Sequence, residues 1–417
     1  MTAPAGPLSA FSGYGIELEY MIVDRDNLAV MPIADELFRK AAGSCANGVE
    51  SGRFSWSNEL VLHLVEIKNA APEARLDGLA AGFQAEIGRI DGLLAGFGAR
   101  LMPGAMHPWM NPATETQLWP HQDDVIYRTY DRIFDCRSHG WANIQSMHVN
   151  LPFADDDEFA RLHAAVRLLL PILPALAASS PVANGRAREA LDFRMACYRF
   201  HPARVPALIG RLVPDNAASR AEYEAAVLAP MYQEIAPLDP DGVLRHEWLN
   251  ARGVIPRFDR NALEIRVIDI QECPQADLAV AALAIAVARK LYAGRWSALE
   301  AQRRIDTASL REILLACIRD ADLAVINDSG YLAVLGFPRD HCEAHELWRH
   351  LLTACAADPL LSQVSRVSLD TILNRGPLAR RIMRALGEGF DRSQLEAVYR
   401  ELCDCLADGR LFMGPDA

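Results

Sequence analysis

The chain has 417 residues, of which 51% are hydrophobic and 23% are charged, so it can bury a large core and is not a disordered polypeptide. Its net charge is −12, and only Lys40, Lys68 and Lys290 are lysines, so no polybasic stretch exists to bind nucleic acid or anionic lipid. The remaining basic residues are arginines, which can still bind a small anion locally.

The apolar runs, the N-terminus and the cysteines all favour a soluble protein. The run 168–178 is far shorter than the ~20 residues of a membrane-spanning helix. The first 15 residues have neither a basic start nor an apolar stretch of signal-peptide length. Nine scattered cysteines without a CxxC pair indicate reduced thiols. We therefore expect a cytoplasmic protein with no membrane and no nucleic-acid partner.

In chain order, the first 150 residues mix short strand-like and helical segments. The predicted strands are 14–23, 54–67 and 144–151, and the predicted helices are 34–42 and 72–97. In the second helix, apolar residues such as Leu79, Phe83 and Ile87 recur at helical spacing. A proline-rich loop is expected over 103–120.

The second part of the chain changes from mixed to helical character. The pattern predicts a helix over 156–178, an arginine-dotted loop over 179–214 and a strand over 254–270. After Pro274 nearly everything is predicted helical, with helices over 277–292, 309–321, 344–356 and 392–406. We expect an α+β protein with a sheet-rich domain, 1–295, and a helical C-terminal region, 296–417, packed on it.

Three predicted strands carry polar pairs on one face and aliphatic residues on the other, because successive strand residues point to opposite faces. These pairs are Glu17 with Glu19, His148 with Asn150, and Glu264 with Arg266. An antiparallel sheet with one solvated face is the simplest interpretation of any one strand. However, two carboxylates this close repel each other unless a cation or solvent relieves them. Mg²⁺ prefers carboxylate oxygens and keeps coordination positions for phosphate, so the strands are also a candidate metal site.

The segment 57–69 adds Glu59 and Glu66 to the candidate acids. Their separation of seven residues places them on opposite faces of a regular strand, so only a bulge or a turn would bring both to one site. Glu66 follows Leu62 and Leu64 at the same parity. The alternative interpretation of Glu66 is that it is an edge residue at the point where the strand leaves the core. Of the two acids, Glu66 is the stronger candidate for a site residue.

Five segments in order resemble motifs of the glutamate–cysteine ligase family, in particular its bacterial carboxylate–amine ligase branch. They are GIELE at 15–19, ELVLHLVE at 59–66, MHVNLP at 147–152, LPALAASSP at 173–181 with Gly185, and LEIRVID at 263–269. Together they extend over about residues 13–290. Each motif alone is weak, whereas five in the correct order are fairly specific.

The resemblance implies a glutamine-synthetase-like fold, in which a curved antiparallel sheet forms a funnel flanked by helices. It also implies a reaction: ATP phosphorylates a carboxylate to an acyl phosphate, and an amine then displaces the phosphate to give an amide. Carried over, it implies two or three Mg²⁺ ions, which Mn²⁺ can replace. The implied metal ligands are Glu17, Glu19, Glu66, His148 and Glu264. Arg266 would stabilise the transferring phosphoryl group, and Glu59 would be a sixth ligand or the base that deprotonates the amine.

Arginines are also expected to hold substrate carboxylates, because their planar fork suits bidentate pairing. Arg252 and Arg257 are favoured because they precede the Glu264 strand, and Arg132, Arg194 and Asn150 are further candidates for substrate or phosphate binding. Ordinary surface positions are the alternative for each arginine.

The expected enzyme is an ATP-dependent ligase that joins glutamate, or a similar carboxylate, to an amine such as cysteine, and the sequence is compatible with a homo-oligomer. Two alternatives stay open. One is a guanidino phosphotransferase of the same fold, although such enzymes use mostly arginines on the nucleotide phosphates. The other is a catalytically silent nucleotide-binding relative, which intact acids and Arg266 disfavour.

Overall fold

The computed structural model describes residues 6–43 and 46–415, and its central feature is an eight-stranded antiparallel sheet. The strands, in chain order, are β1 (Gly15–Asp24), β2 (Gly48–Ser51), β3 (Phe54–Asn58), β4 (Leu64–Asn69), β5 (Ala99–Met102), β6 (Ser146–Pro152), β7 (Val182–Ala183), β8 (Arg186–Ala187), β9 (Val254–Arg257), β10 (Ala262–Asp269), β11 (Val325–Ile326) and β12 (Cys342–Glu343). Strands β7 with β8 and β11 with β12 form two separate ribbons.

The main sheet has the order β2-β3-β4-β1-β6-β10-β9, and β5 also pairs with β1. Strand β1 is central because β4 lies along one edge, while the other edge pairs first with β6 and then with β5. Its alternation of acidic and apolar residues leaves Ile16, Leu18 and Tyr20 fully buried in the main hydrophobic core. The opposite face of β1 is therefore the one that carries its two glutamates.

Helices cover the apolar face of the sheet and build the rest of the chain. They are α1 (Ala34–Ala42), α2 (Leu79–Leu94), α3 (Pro112–Glu115), α4 (Asp124–Phe134), α5 (His139–Ala142), α6 (Asp156–Leu169), α7 (Leu173–Ala177), α8 (Phe193–Tyr198), α9 (Arg220–Tyr223), α10 (Ala229–Ile235), α11 (Pro274–Tyr292), α12 (Leu299–Arg304), α13 (Thr307–Asp320), α14 (Ser329–Val334), α15 (Ala344–Ala354), α16 (Arg366–Arg375), α17 (Leu378–Leu386) and α18 (Arg392–Asp408). Helices α2, α6 and α11 pack with the sheet's apolar side chains in one core.

Two long predicted strands are hairpins in the structure. The segment 54–67 divides into β3 and β4, which pair antiparallel across a turn at 59–63. The segment 254–270 divides into β9 and β10, with Asn261 in the left-handed region at φ +50° in the connection. Asparagine tolerates that conformation, which lets the chain reverse within a few residues.

The predicted helix 72–97 is also corrected, because its α-helical part begins at Leu79. Gly78 precedes it with φ +80°, a left-handed conformation that is not helical, so the turns before it cannot continue the helix. The apolar spacing did continue through Leu76, which is buried but lies outside the helix.

The segment beyond residue 295 is helical apart from the short β11–β12 ribbon. Leu310, Trp348 and Leu369 belong to the same core as β1, and α17 and α18 pack in a second core with Met21 and Met102. The division at 295/296 stays a prediction. Within the described residues, the run Asp156–Ala177 is long and apolar enough to cross a membrane, but its most apolar window is 94% buried inside the protein, as expected for a core helix.

Candidate active site

The strand register collects the predicted polar residues on one face of the sheet. Glu17 on β1 lies opposite both Lys68 on β4 and His148 on β6. Glu19 lies opposite Glu66, and Glu264 on β10 lies opposite Asn150. Directly paired residues of an antiparallel sheet point to the same side, so four strands contribute to one cluster. We call Glu17, Glu19, Glu59, Glu66 and Glu264, together with His148, the acidic cluster.

His148 lies at the centre of the acidic cluster. Its Nδ1 is 3.0 Å from Glu17 Oε2 and 4.0 Å from Glu264 Oε1, and its Nε2 is 3.8 Å from Glu19 Oε1. Ser146 connects two members, because its backbone N and Oγ both donate to Glu19 Oε2, at 2.7 and 2.9 Å, and its Oγ is 3.0 Å from His148 Nε2. The imidazole is thus surrounded by three carboxylates.

Glu66 and Glu59 approach the same place from the β3–β4 hairpin. Lys68 Nζ lies 2.5 Å from Glu66 Oε1, and Ser57 donates to the same oxygen at 2.8 Å. Glu59 follows β3 directly, in the turn, and one of its oxygens lies within 4.8 Å of ligand atoms of Glu19 and Glu66. The turn therefore does what a regular strand cannot, since it brings both acids of this segment to one site.

Two arginines flank Glu264 at the other end of the cluster. Arg266 Nε lies 3.0 Å from Glu264 Oε1, and Arg257 Nη1 lies 3.3 Å from Glu264 Oε2. The Arg266 side chain is about one quarter exposed, which leaves part of its guanidinium open toward the cavity described below. Glu264 is thereby held between two positive charges.

Burial and mutual repulsion set the protonation of the cluster. Burial, reinforced by the charge of Glu17, raises the pKa of Glu66 to about 7 despite the nearby Lys68. Burial and the charges of Glu66 and Glu19 raise the pKa of Glu59 well above its ordinary range. For Glu17, burial opposes ionisation, but the hydrogen bond with His148 outweighs it and lowers the pKa. Correspondingly, the pKa of His148 is raised: burial lowers it, but the hydrogen bond with Glu17 and the charge of Glu19 outweigh that effect. The cluster thus holds more carboxylates than its own cations can neutralise.

The acidic cluster fits a hard divalent cation by the chemistry of its donors. Two groups of three side chains each bring ligand atoms within 4.8 Å of one another: Glu17, Glu66 and His148, and Glu19, Glu59 and Glu66. Glu66 belongs to both groups. Carboxylate oxygens are the ligands Mg²⁺ prefers, and a bound cation would relieve the repulsion that raises the pKa values of Glu59 and Glu66.

A cavity of about 200 Å³ opens beside the cluster. Its lining includes Glu19, Glu59, His148 and Arg266. It also includes the rings of Tyr130, Trp141, Tyr198 and Trp248, which we call the aromatic wall. These residues come from α4, α5, α8 and the short helical turn Glu247–Leu249. The acids of the sheet and the rings of the helices thus enclose one small space.

The other predicted binding residues lie in different places. Arg194 lines the cavity but is fully buried, with its Nε 2.5 Å from Asp269 Oδ1. Asn150 donates to Glu17 Oε1 at 3.0 Å. Arg252 is buried outside the cavity lining, where it donates to Ala207 O at 3.1 Å.

Arg132 is exposed on α4 and donates to Leu238 O at 2.9 Å. The structure therefore brings Arg194 and Asn150 to the site and leaves Arg252 and Arg132 engaged elsewhere.

Sequence reasoning missed three parts of this site. Lys68 and Ser146 each lie two residues from a predicted ligand, Glu66 and His148, so strand parity already placed them on the same face. The aromatic wall had no such signal, because its rings come from separate helices and turns whose meeting depends on the tertiary fold.

Comparisons with known proteins identify a family and several related proteins. A sequence model described as Glutamate-cysteine ligase family 2 (GCS2) matches residues 14–317. An uncharacterised protein of Archaeoglobus fulgidus is 36% identical over 275 residues, which are 66% of this chain and 73% of that protein. A Bradyrhizobium sp. (strain ORS 278) protein named "Putative glutamate--cysteine ligase 2" is 26% identical over 67% of this chain and 62% of its own length. The match thus spans less than two thirds of that second relative.

Among solved structures, a glutamate–cysteine ligase from Francisella tularensis, crystallised in complex with AMP, matches with a TM-score of 0.59. The match covers 97% of this chain and 89% of that one at 12% sequence identity. This likeness confirms the predicted glutamine-synthetase-like α+β fold.

Proposed function

Because the chain belongs to glutamate–cysteine ligase family 2, we propose that it is an ATP-dependent carboxylate–amine ligase that forms a γ-glutamyl amide bond. The observation that supports this most is the convergence of the acidic cluster with Arg266 beside a small cavity. Phosphoryl transfer needs little covalent chemistry from the protein, but it needs charge neutralisation and alignment, which such a site supplies.

The first half-reaction transfers the γ-phosphoryl group of ATP to the side-chain carboxylate of glutamate and releases ADP. Glu17, Glu19, Glu66 and His148 would hold the divalent ions, with Glu264 beside them. Glu59 is assigned instead to the proton transfer of the second half-reaction. Mg²⁺, or Mn²⁺ in its place, supplies neutralisation of the phosphate oxygens when bound. His148 must be neutral to act as a ligand, so ion binding and protonation of His148 compete.

Arg266 is proposed to stabilise the charge that develops on the phosphoryl oxygens. Its guanidinium forms an ion pair with Glu264, with Nε 3.0 Å from Glu264 Oε1, and the side chain lines the cavity. A planar guanidinium aimed at developing charge stabilises the transition state more than the ground state. Arg257, on the far side of Glu264, is proposed to hold a carboxylate of glutamate.

In the second half-reaction, the amine attacks the carbonyl carbon of the acyl phosphate. The C–N bond forms, the C–O bond to phosphate breaks, and the proton lost from nitrogen leaves with the products. Glu59 is proposed to receive that proton, because it lines the cavity and burial raises its pKa toward that of a useful base. Cysteine is the acceptor that the family name suggests, and another amine is compatible with the same chemistry.

The proposal is tested by incubating the purified chain with ATP, Mg²⁺, glutamate and a panel of amines, with ADP release and product mass as readouts. We expect ADP and an amide in equal amounts. A phosphorylated amine would instead indicate a phosphotransferase, and nucleotide binding without turnover would indicate a silent relative. Glu300→Gln, on the exposed side of α12, is the control for substitutions in the acidic cluster.

A further inference from the structure

Strand β10 contains a β-bulge at the position of Arg266. The pairing of β10 with β6 shifts register between Ile265 and Ile268. Two residues of β10, Arg266 and Val267, therefore lie opposite the single residue His148 of β6. A bulge of this kind bends the strand and re-aims side chains, and bulges are common next to active sites. Arg266 thus reaches the cavity lining from an irregular part of its strand.

The bulge also decides which face of the sheet carries Asp269. In a regular strand Asp269 would share the apolar face of Ile265, which belongs to the main core. After the extra residue, Asp269 lies opposite Ser146, whose Oγ donates to Glu19 in the acidic cluster. Directly paired residues point to the same side, so Asp269 stands on the face of the candidate site, where it is fully buried.

Asp269 binds Arg194, and Arg194 binds the main chain of the bulge. Arg194 Nε lies 2.5 Å from Asp269 Oδ1, and Arg194 Nη1 and Nη2 donate to Arg266 O at 3.4 and 3.3 Å. The backbone N of Arg266 donates to Gly253 O, just before β9, at 2.9 Å. Both backbone polar groups of Arg266 are therefore held by hydrogen bonds to segments outside β6. All three nitrogens of the Arg194 guanidinium contact protein acceptors.

The loop after α7 holds both members of the pair formed by Arg194 and Asp269, which we call the support pair. Ser180 Oγ donates to Asp269 Oδ2 at 2.8 Å and accepts from the backbone N of Arg194 at 3.0 Å. The backbone N of Ser179 donates to the same Asp269 oxygen at 2.8 Å. All four residues are buried, and hydrogen bonds in such a low-dielectric interior strengthen one another and rigidify the network. The support pair thus connects a rigid loop to the bulge.

Stability alone does not account for an ion pair in this place. Two charges lose their hydration on burial, and apolar residues of similar volume often stabilise a fold as well or better. The supported residue, in contrast, is the one whose placement matters for the proposed chemistry. Arg266 Nε lies 3.0 Å from Glu264 Oε1, so a displaced bulge would move the guanidinium relative to the acidic cluster. Misplacing a group at a reacting centre by ~1 Å can cost about 100-fold in rate.

We propose that Arg194 and Asp269 are positioning residues, which fix the bulge and thereby aim the guanidinium of Arg266, in an extension that rests on the proposed ligase function. Arg194 then supports Arg266 instead of binding a substrate carboxylate, because its nitrogens are already engaged by protein acceptors. Arg266 is assigned to charge that develops only in the transition state. Loss of the support pair should therefore lower kcat and leave the KM for ATP nearly unchanged.

Arg194→Lys tests this role while keeping a positive charge beside Asp269. Lysine has a single side-chain nitrogen, so it cannot reproduce the separate contacts to Asp269 and to Arg266 O. With ATP, Mg²⁺, glutamate and the best amine of the panel, we expect kcat to fall about 10- to 100-fold. The KM for ATP should stay within about twofold of the wild-type value. An unchanged kcat would overturn the proposal.

Arg381→Lys is the matched control. Arg381 is as deeply buried as Arg194, pairs with Glu272 at 2.5 Å and also donates to the carbonyl oxygen of Phe412. It lies on α17, outside the lining of the cavity. The same substitution therefore removes an equivalent buried fork at a place that does not support Arg266, and kcat should stay at the wild-type value. Equal losses of kcat in the two variants would overturn the proposal.

A double-mutant cycle separates positioning from an independent role of Arg194. If Arg194 acts through Arg266, adding Arg194→Lys to Arg266→Lys should lower kcat by less than about twofold, because the guanidinium being aimed is already gone. Losses that multiply would overturn the proposal. Should Arg194→Lys not fold, Ser180→Ala takes its place, since it loosens the support pair and leaves both charges. It should lower kcat about threefold or more, and an unchanged kcat would overturn the proposal.

Crystal structures distinguish failure of this proposal from failure of the ligase function. If the wild type forms neither ADP nor amide, the ligase proposal fails, and the position of Arg266 becomes the readout. In Arg194→Lys we expect the guanidinium of Arg266 to move by about 1 Å or more relative to Glu264, and in Arg381→Lys we expect it to stay in place. An unmoved Arg266 in Arg194→Lys would overturn the positioning role whether or not the ligase reaction occurs.

Discussion

Glu66→Gln should stabilise the metal-free protein at alkaline pH while weakening its binding of divalent cations. In the folded chain, burial and the charge of Glu17 raise the pKa of Glu66 from 4.5 to about 7. The folded state therefore holds an extra proton between these values, and stability is lost as the pH rises through this window. Above pH 7, this pKa shift lowers the free energy of unfolding by about 3 kcal/mol relative to a glutamate whose pKa is unshifted.

Glutamine removes this penalty, because it carries no charge at any pH. Lys68 would lose its carboxylate partner, but its side chain is 34% exposed and keeps Ser57 within 3.0 Å, so the loss is smaller than the gain. Unfolding entropy of about 2.1 cal/mol/K per residue makes 3 kcal/mol worth roughly 3 °C in a chain of 417 residues.

The assay is thermal unfolding of chelator-treated wild type, Glu66→Gln and the control Glu300→Gln at pH 5 and pH 8, with and without Mn²⁺. We expect nearly equal midpoints at pH 5, and a Glu66→Gln midpoint about 3 °C higher at pH 8 without metal. Mn²⁺ should raise the midpoint of wild type and of the control but not that of Glu66→Gln. A metal-free variant that is less stable than wild type at pH 8 would refute this reasoning, since Glu66 would then be ionised and stabilised by Lys68.

Three further predictions concern neighbouring groups. Glu17→Gln and Glu264→Gln should each lower kcat by two or more orders of magnitude and weaken the Mg²⁺ dependence of the reaction. The unfolding midpoint of each variant should stay within about 2 °C of the wild-type value. Near-normal kcat in both variants would remove these two residues from the metal site. Arg266→Lys should lower kcat about 100-fold with little change in the KM for ATP, because lysine lacks the planar guanidinium that can donate two parallel hydrogen bonds. A change confined to KM would contradict a role of Arg266 in the transition state. Asp269→Asn leaves the buried Arg194 without its charged partner and should cost about 3–5 kcal/mol in unfolding free energy. The measurement is denaturant titration against Asp320→Asn, whose side chain is 40% exposed, and equal stability of the two variants would argue against a structural pair.

Much of the candidate site follows from strand periodicity. Glu17, Glu19, His148, Asn150, Glu264 and Arg266 were placed on common faces because side chains alternate along a strand whatever the strand pairs with. The five ordered motifs gave the family and the fold, and both are confirmed by the comparisons. Their roles as ligands and catalytic groups stay predictions.

Other features depended on contacts that local pattern does not encode. The turn at 59–63 made two strands of one predicted strand, and it thereby joined Glu59 to Glu66. The sequence favoured Arg252 over Arg194, yet Arg252 is absent from the cavity lining and donates to Ala207 O, whereas Arg194 lines the cavity.

By itself the sequence determined which residues share a face, because alternation along an extended chain is a local property of backbone geometry. Only the tertiary structure decided which faces meet, because strand order, hairpin turns and the meeting of rings from four helices and turns rest on pairings between distant segments. The acidic cluster was determined largely by alternation along the strands, and the aromatic wall by the tertiary structure.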